Sequence, residues 1–201
     1  MKRFLSNFFY NIFLICSLIS IFVLFHSETK GESKVLASVN ELHESLKKIS
    51  NKTIKSDNLA KIDDVVKNCY DLEKMGKIII GVDWKQIDTK TQKEFINVFK
   101  RFISVNYFRR FNKINELNFE HETVKVIGDK FKLARVILTA DNEKLKIDYL
   151  LGFKNEKWKI FDVLLDGSIS EVATKKSDFK KIIKEEGVKG LVKNLRIRNK
   201  F

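Results

Sequence analysis

The spacing of apolar residues changes once along the chain, near Leu117, and this change limits the fold more than any other feature of the sequence. Before it, apolar residues recur at the three- to four-residue spacing of amphipathic helices. After it, four segments rich in Val, Ile, Leu and aromatic residues are parted by three-residue polar turns: 117–127, 131–140, 144–153 and 157–165. Such segments and turns predict antiparallel strands joined as a meander. Helices followed by a meander predict an α+β domain.

Two amphipathic helices are predicted in the first half of the chain. Residues 35–49 carry apolar side chains at helical spacing and end at the polar stretch 50–57. The same spacing continues from residue 59 through residue 75, and we expect this second helix to stop near Gly81.

A third predicted helix carries the widest apolar stripe in the chain. Thr89 and Gln92 have the spacing of a capping box, which predicts that Thr89 is the N-cap of the helix. An apolar stripe at helical spacing follows, made of Phe95, Val98, Phe99, Phe102, Ile103 and Tyr107.

Two short helices are predicted after the strands. They cover residues 178–186 and 188–196, and Gly187 and Gly190 mark the break between them. The chain has no proline and only 8 glycines, which excludes proline-rich and flexible-linker architectures. Since no linker divides residues 28–201, we expect one domain there.

The first 27 residues are typical of an export segment. Lys2 and Arg3 precede eighteen uncharged residues, from Phe8 to Phe25. This run also reaches the lower range for a membrane-spanning helix, so both a cleaved signal peptide and an uncleaved anchor on the inner membrane stay open. Because basic residues remain on the cytoplasmic side, either alternative places residues 28–201 outside the cytoplasm, in the periplasm of a bacterium.

The chain is strongly basic, with 39 Lys and Arg against 26 Asp and Glu and a formal net charge of +13. The export segment argues against nucleic acid as the partner of this charge. Outside the inner membrane, a basic surface meets anionic lipid headgroups or acidic membrane proteins instead.

Few residues support catalysis. The only histidines are His26, His43 and His121, and the sequence has no zinc-protease motif, no serine-hydrolase elbow and no phosphate-binding glycine loop. Asp148 and Asp162 lie on predicted strands beside apolar residues, where they could act as general acids or bases or could bond to the backbone.

Several motifs resemble those of MlaC-type periplasmic phospholipid-binding proteins. They lie in the same order between residues 35 and 196, although Lys175-Lys176 stands where the resemblance leads us to expect an arginine. The matching segments are 70–75, Gly81-Val82-Asp83-Trp84-Lys85, Thr89-Lys90-Thr91-Gln92 with Phe95 and Tyr107, Asp148-Tyr149, 158–163, Asp166-Gly167, Phe179, and Gly187-Val188-Lys189-Gly190-Leu191.

This resemblance implies an NTF2-like fold, in which helices pack on a curved antiparallel sheet of four strands and enclose an apolar cavity. It further implies a non-enzymatic carrier, without a cofactor, whose cargo is glycerophospholipid. The implied partners are an outer-membrane lipoprotein–porin complex and an inner-membrane ABC transporter with an MCE-domain ring, between which lipid would pass to maintain outer-membrane asymmetry.

Both the third helix and the strands offer large apolar side chains that would line such a cavity or fill an ordinary core. The candidate lipid-binding residues are Phe95, Phe99, Phe102, Ile103, Tyr107, Val136, Leu138, Ile147, Tyr149 and Leu151. Two alternatives remain: an NTF2-like enzyme that uses Asp148 or Asp162, and a membrane-anchored adaptor with a closed core. The headgroup, the number of acyl chains and the direction of transport are not predicted.

Overall fold

The computed structural model describes residues 31–50 and 56–200. The chain divides into two units, Met1–Lys34 and Val35–Phe201. Of the first unit, only residues 31–34 are described, and they are helical. The predicted export segment lies outside the described residues. All that follows concerns the second unit.

Within residues 31–50 and 56–200, five α-helices and one 3₁₀ helix form the helical part. None of the helices within residues 31–50 and 56–200 is long and apolar enough to cross a membrane. The helices are α1 (31–49), α2 (Ser56–Cys69), α3 (Leu72–Ile80), the 3₁₀ helix (Gly81–Lys85), α4 (Thr89–Phe111) and α5 (Glu171–Arg198).

The prediction of one continuous helix over residues 59–75 was wrong, because the chain breaks at Tyr70 and Asp71. Tyr70 forms a parallel β-bridge with Ile160, and the next residue, Asp71, caps α3 by accepting a hydrogen bond from the backbone N–H of Lys74 at 3.1 Å. The apolar spacing continues across the break, which is why the sequence does not reveal it.

The predicted capping box was also wrong by one residue. Asp88, not Thr89, is the N-cap of α4, and its carboxylate accepts hydrogen bonds from the backbone N–H and the hydroxyl of Thr91 at 2.8 and 2.7 Å. The Gln92 amide instead donates to the carbonyls of Trp84 and Ile87. It therefore ties the start of α4 to the preceding 3₁₀ turn.

The four predicted strands are confirmed, and a two-residue fifth strand extends the meander. Their sheet has the order β1-β2-β3-β4-β5 and is antiparallel throughout. The strands are β1 (Leu117–Ile127), β2 (Phe131–Ala140), β3 (Glu143–Lys154), β4 (Lys157–Leu165) and β5 (Ile169–Ser170). Register shifts at His121/Thr123 and at Leu150/Leu151 are β-bulges, which bend the strands that carry them.

One face of the sheet is buried beneath the helices. Tyr149 pairs with Ala134 on one side and with Val163 on the other, and directly paired residues share a face. Buried residues of this face include Ala134, Val136, Ile147, Tyr149 and Leu151. This helix-on-sheet packing confirms the predicted α+β class.

The C-terminal helices form one longer element with a kink. Helix α5 begins at Glu171 rather than at residue 178, since Ser170 caps it by accepting from the backbone N–H of Ala173. The predicted break lies at Gly187, with φ 67° and ψ −175°, whereas Gly190 lies within the second segment. Gly190 is required there for space, because a Cβ would overlap the side chain of Glu186.

Candidate functional site

A cavity of about 280 Å³ lies between α4 and the buried face of the sheet. Helix α4 places apolar side chains four residues apart, from Phe99 through Ile103 and Tyr107 to Phe111, so that they follow one another along one face. The remaining apolar lining residues are Leu46, Tyr70, Met75, Phe102, Ile114, Leu138, Leu145, Ile147, Tyr149, Val163, Leu165 and Val172.

Strand register explains the sheet side of the cavity. Leu138 stands opposite Leu145, Ile147 opposite Leu165, and Tyr149 opposite Val163. Because opposite residues point to the same side of a sheet, these pairs form a continuous apolar floor.

Most of the candidate residues named from the sequence lie on this cavity. Phe99, Phe102, Ile103 and Tyr107 come from α4, and Leu138, Ile147 and Tyr149 come from the sheet. That they contact lipid stays a prediction.

Phe95, Val136 and Leu151 are fully buried and are not among the residues that line the cavity. Phe95 lies one helical turn before Phe99, stacks on it with ring centroids 5.4 Å apart, and meets the edge of Trp84. Phe95 is therefore enclosed by aromatic side chains on two sides. Lipid contact at these three positions also stays a prediction.

Several lining residues were not named from the sequence. Val163 and Leu165 follow from the register of β3 with β4, and Phe111 extends the α4 spacing by one more step, so the sequence contained a signal for all three. Tyr70 and Val172 lie far from α4 in the chain, and only the tertiary fold brings them to the cavity.

The hydroxyl groups of the three tyrosines that line the cavity all form hydrogen bonds. The hydroxyls of Tyr70 and Tyr107 form a hydrogen bond, and the Tyr149 hydroxyl bonds to Nε2 of His43 at 3.0 Å. Burial raises the pKa of Tyr107 to about 12 and raises the pKa of Tyr70 and of Tyr149 well above its usual value. The wall therefore carries no tyrosinate charge at neutral pH.

His43 supports this wall from helix α1. Its ring stacks on Phe119, with centroids 3.8 Å apart and planes 7° apart. Burial, followed by repulsion from His121 and Lys47, lowers the pKa of His43 to about 3. The imidazole is therefore neutral at physiological pH, which suits its position behind an apolar cavity.

Besides the three tyrosines, four polar or charged residues belong to the lining and are here called the cavity rim: Asn106, Arg110, Glu171 and Lys175. Glu171 lies 3.6 Å from Arg110 and 3.5 Å from Lys175, so one carboxylate faces two cations. The Arg110 side chain is 57% exposed, which places the rim where the cavity meets solvent.

The two carboxylates considered for catalysis have structural partners. Asp148 is buried and accepts two hydrogen bonds from the Arg135 guanidinium, at 2.7 and 2.8 Å. Asp162 accepts from the Ser170 hydroxyl at 2.6 Å and from the backbone N–H of Val172 at 3.1 Å, and so holds the start of α5. Neither carboxylate lines the cavity.

No cluster of three or more His, Cys, Asp or Glu residues that could hold a metal occurs within residues 31–50 and 56–200.

The cavity has an uncharged apolar interior and a charged rim. This lining is complementary to an amphiphile, a molecule with a long apolar part and a polar end.

Comparison with known proteins points to one family. The model of the MlaC protein family matches residues 37–197. A solved structure of the phospholipid-binding protein from Ralstonia solanacearum, in complex with a phospholipid, aligns with a TM-score of 0.68 and 22% sequence identity. The alignment covers 83% of this chain and 97% of that chain, and it shows a shared fold. No curated protein matches the sequence.

Proposed function

The chain belongs to the MlaC family, and on this premise we propose that it is a periplasmic carrier of glycerophospholipid that holds acyl chain in the cavity beneath α4. The observation that carries the proposal is the cavity itself: about 280 Å³ of space whose interior wall is apolar and whose tyrosine and histidine groups are neutral. The phospholipid in the Ralstonia solanacearum structure supports the choice of cargo.

The energetics of lipid transfer require such a cavity. Each methylene moved from water into an apolar environment contributes about 0.8 kcal/mol, so two acyl chains with about thirty methylenes lose on the order of 20 kcal/mol when they enter water unprotected. A carrier that crosses an aqueous compartment must cover these chains.

The cavity has to widen for a two-chain lipid. Its volume of about 280 Å³ lies just below the ~300–1,000 Å³ of common small-molecule pockets. We propose that α4 and α5 move away from the sheet as lipid enters or leaves. The separation exchanges the apolar contacts of Phe102, Ile103 and Val172 for lipid contacts. It also has to break the hydrogen bonds that join Asp162 of β4 to the start of α5.

The cavity rim is the proposed position of the headgroup. Arg110 and Lys175 supply two positive charges against the single carboxylate of Glu171. Lysine and arginine both bind phosphate, and the partly exposed rim leaves the remainder of the headgroup in water. Lys175 belongs to the pair Lys175-Lys176, which stands where the family resemblance led us to expect an arginine.

In this proposal the protein receives and delivers lipid between an outer-membrane lipoprotein–porin complex and an inner-membrane ABC transporter with an MCE-domain ring, and so helps to maintain outer-membrane asymmetry. The proposal includes export to the periplasm through residues 1–27, with or without retention on the inner membrane.

Neither alternative function has an observation in its favour. An adaptor with a closed core does not account for the cavity, and an enzyme that used Asp148 or Asp162 would need carboxylates that face a substrate. In the structure, Arg135 holds Asp148, while Ser170 and Val172 engage Asp162.

The test is to fill the cavity. Ile103→Trp adds bulk to a half-buried cavity residue on α4, while Ile96→Trp makes the same change at a half-buried residue of α4 that does not line the cavity. We expect Ile103→Trp to lower the phospholipid recovered per folded protein at least several-fold and to slow transfer between vesicles, because the indole occupies the space of the acyl chain. Ile96→Trp retains both. Full lipid content in folded Ile103→Trp would refute the proposed cargo site.

A further inference from the structure

A second concave surface, which shares no lining residue with the lipid cavity, lies between α5 on one side and the end of α3 with the 3₁₀ helix on the other. Its volume is about 550 Å³. We call it the lysine groove, and it is lined by Ile79, Ile80, Asp83, Ala173, Lys176, Ser177, Lys180, Ile183 and Lys184.

Three lysines give the groove its charge. Lys176, Lys180 and Lys184 are four residues apart, so they stand one above another on the same side of α5. All three are exposed, and within residues 31–50 and 56–200 none has a carboxylate within 4.0 Å. The neighbouring Lys175, by contrast, pairs with Glu171 and Asp178. Asp83 is the single acidic residue among those that line the groove.

An exposed apolar side chain accompanies these charges. Val82 is 85% exposed, and it lies in the chain between the groove residues Ile80 and Asp83. Ile78, one helical turn before it on α3, is 37% exposed. Val82 is the second residue of the 3₁₀ helix and directly follows Gly81. Gly81 has a φ of 73°, a left-handed backbone conformation in which the α-helix cannot continue.

We propose that the lysine groove is a docking surface for an anionic membrane, with the three ammonium groups above lipid phosphates and Val82 in the boundary between headgroups and acyl chains. Unpaired lysines on one helix face are attracted by the negative potential of an anionic leaflet. Moving a protruding apolar side chain from water into that boundary is favourable, because it removes apolar surface from water. The docking does not depend on what the lipid cavity carries.

The composition of the groove favours a membrane over an acidic protein. Lysine is a mobile point charge that pairs with many phosphate positions, whereas protein interfaces favour the fixed fork of arginine, and the groove has no arginine among its lining residues. A fluid array of phosphates matches three flexible lysines without requiring a fixed geometry.

The test is a lysine footprint of the full chain on vesicles. The protein is mixed with phosphatidylglycerol vesicles or phosphatidylcholine vesicles, and acetylation of each lysine is followed by mass spectrometry. The matched control set is Lys125, Lys130 and Lys144, which are exposed on the strands and turns of the sheet. Comparing the two vesicle types removes binding that does not depend on lipid charge.

We expect phosphatidylglycerol to slow acetylation of Lys176, Lys180 and Lys184 at least fivefold, with no such effect on the control set or from phosphatidylcholine. Replacing the three groove lysines by glutamine should weaken binding to phosphatidylglycerol by about fivefold for each lysine, hence on the order of a hundredfold in total. The variant in which Lys125, Lys130 and Lys144 are replaced by glutamine has the same net charge as the groove variant. It should bind phosphatidylglycerol vesicles as the wild type does. Val82→Asp should weaken binding without changing cavity lipid content.

Three results would overturn the proposal. The first is equal protection of both lysine sets, which would show attraction by net charge alone. The second is no protection on phosphatidylglycerol. The third is protection by soluble polyglutamate but not by vesicles, which would assign the groove to an acidic protein.

Discussion

At the scale of single residues, buried polar groups in this protein are held by specific partners, and His43 is the clearest case. It lies on an otherwise apolar side of α1, and no nearby motif in the sequence indicates a role for it. Stacking on Phe119 and the bond to Tyr149 make it part of the wall behind the cavity. The folded state therefore requires the His43 imidazole to be neutral.

The protein should lose stability in mild acid because of His43. The folded pKa is about 3, below the ordinary value of 6.5, so the unfolded chain takes up a proton that the folded chain does not. The contribution of neutral His43 to the free energy of unfolding is fully present above about pH 6.5, and it declines as the pH falls toward 3. We expect about 2 kcal/mol less free energy of unfolding at about pH 5 than at about pH 7 from this residue.

Urea unfolding at the two pH values measures this loss. His43→Gln keeps a hydrogen-bonding group but does not titrate, so it should remove this part of the pH dependence. His121→Gln, at the exposed histidine nearby, should retain most of it. An unchanged pH dependence in His43→Gln would contradict the assignment.

Asp148 is expected to matter for stability and not for lipid content. Asp148→Asn removes the buried charge that pairs with the partly exposed Arg135 guanidinium, and we expect a loss of about 1.5 kcal/mol in the free energy of unfolding. Because Asp148 does not line the cavity, the folded variant should hold as much lipid as the wild type. The measurements are urea unfolding and phospholipid per folded protein. Unchanged stability with lost lipid would point to a direct role at the site.

At the scale of elements, the sequence predicted the strands better than the joints between helices. Each hairpin has a polar turn, and Asn142 and Asn155 adopt the positive φ angles that tight hairpins require, so the turn chemistry fixes where each strand ends. The helix joints instead depend on single caps. Asp71 breaks a continuous apolar pattern and Asp88 displaces Thr89 as a cap, and neither choice alters the apolar spacing.

The kink in α5 gives a prediction about an element. Gly187 has φ 67° and ψ −175°, a backbone conformation open essentially to glycine alone. A Cβ there would meet no neighbouring atom, so any cost of Gly187→Ala comes from the backbone. We expect a loss of about 1–3 kcal/mol in the free energy of unfolding. The control is Lys189→Ala, an exposed change two residues later, which should have little effect.

Urea unfolding of the two variants decides this prediction. If Gly187→Ala were as stable as the wild type, α5 would be able to continue straight through residue 187. The kink would then not be needed to seat Val188 and Leu191 in the core.

At the scale of the whole molecule, the sequence predicted a helix stripe facing a sheet but could not separate cavity from core. Phe95 and Phe99 lie on the same stripe, yet the first is enclosed by Trp84 and the second faces open space. That difference arises from where distant segments close over the sheet, which apolar spacing does not encode. Family membership supplied what spacing could not: the expectation that a cavity exists at all.

Native mass spectrometry with lipid extraction decides whether this cavity carries phospholipid. The protein is exported into a bacterial periplasm and purified without detergent. We expect a stoichiometric complex with phospholipid, and the mass of the bound species gives the number of acyl chains. A compact, stable protein recovered free of lipid would refute phospholipid carriage.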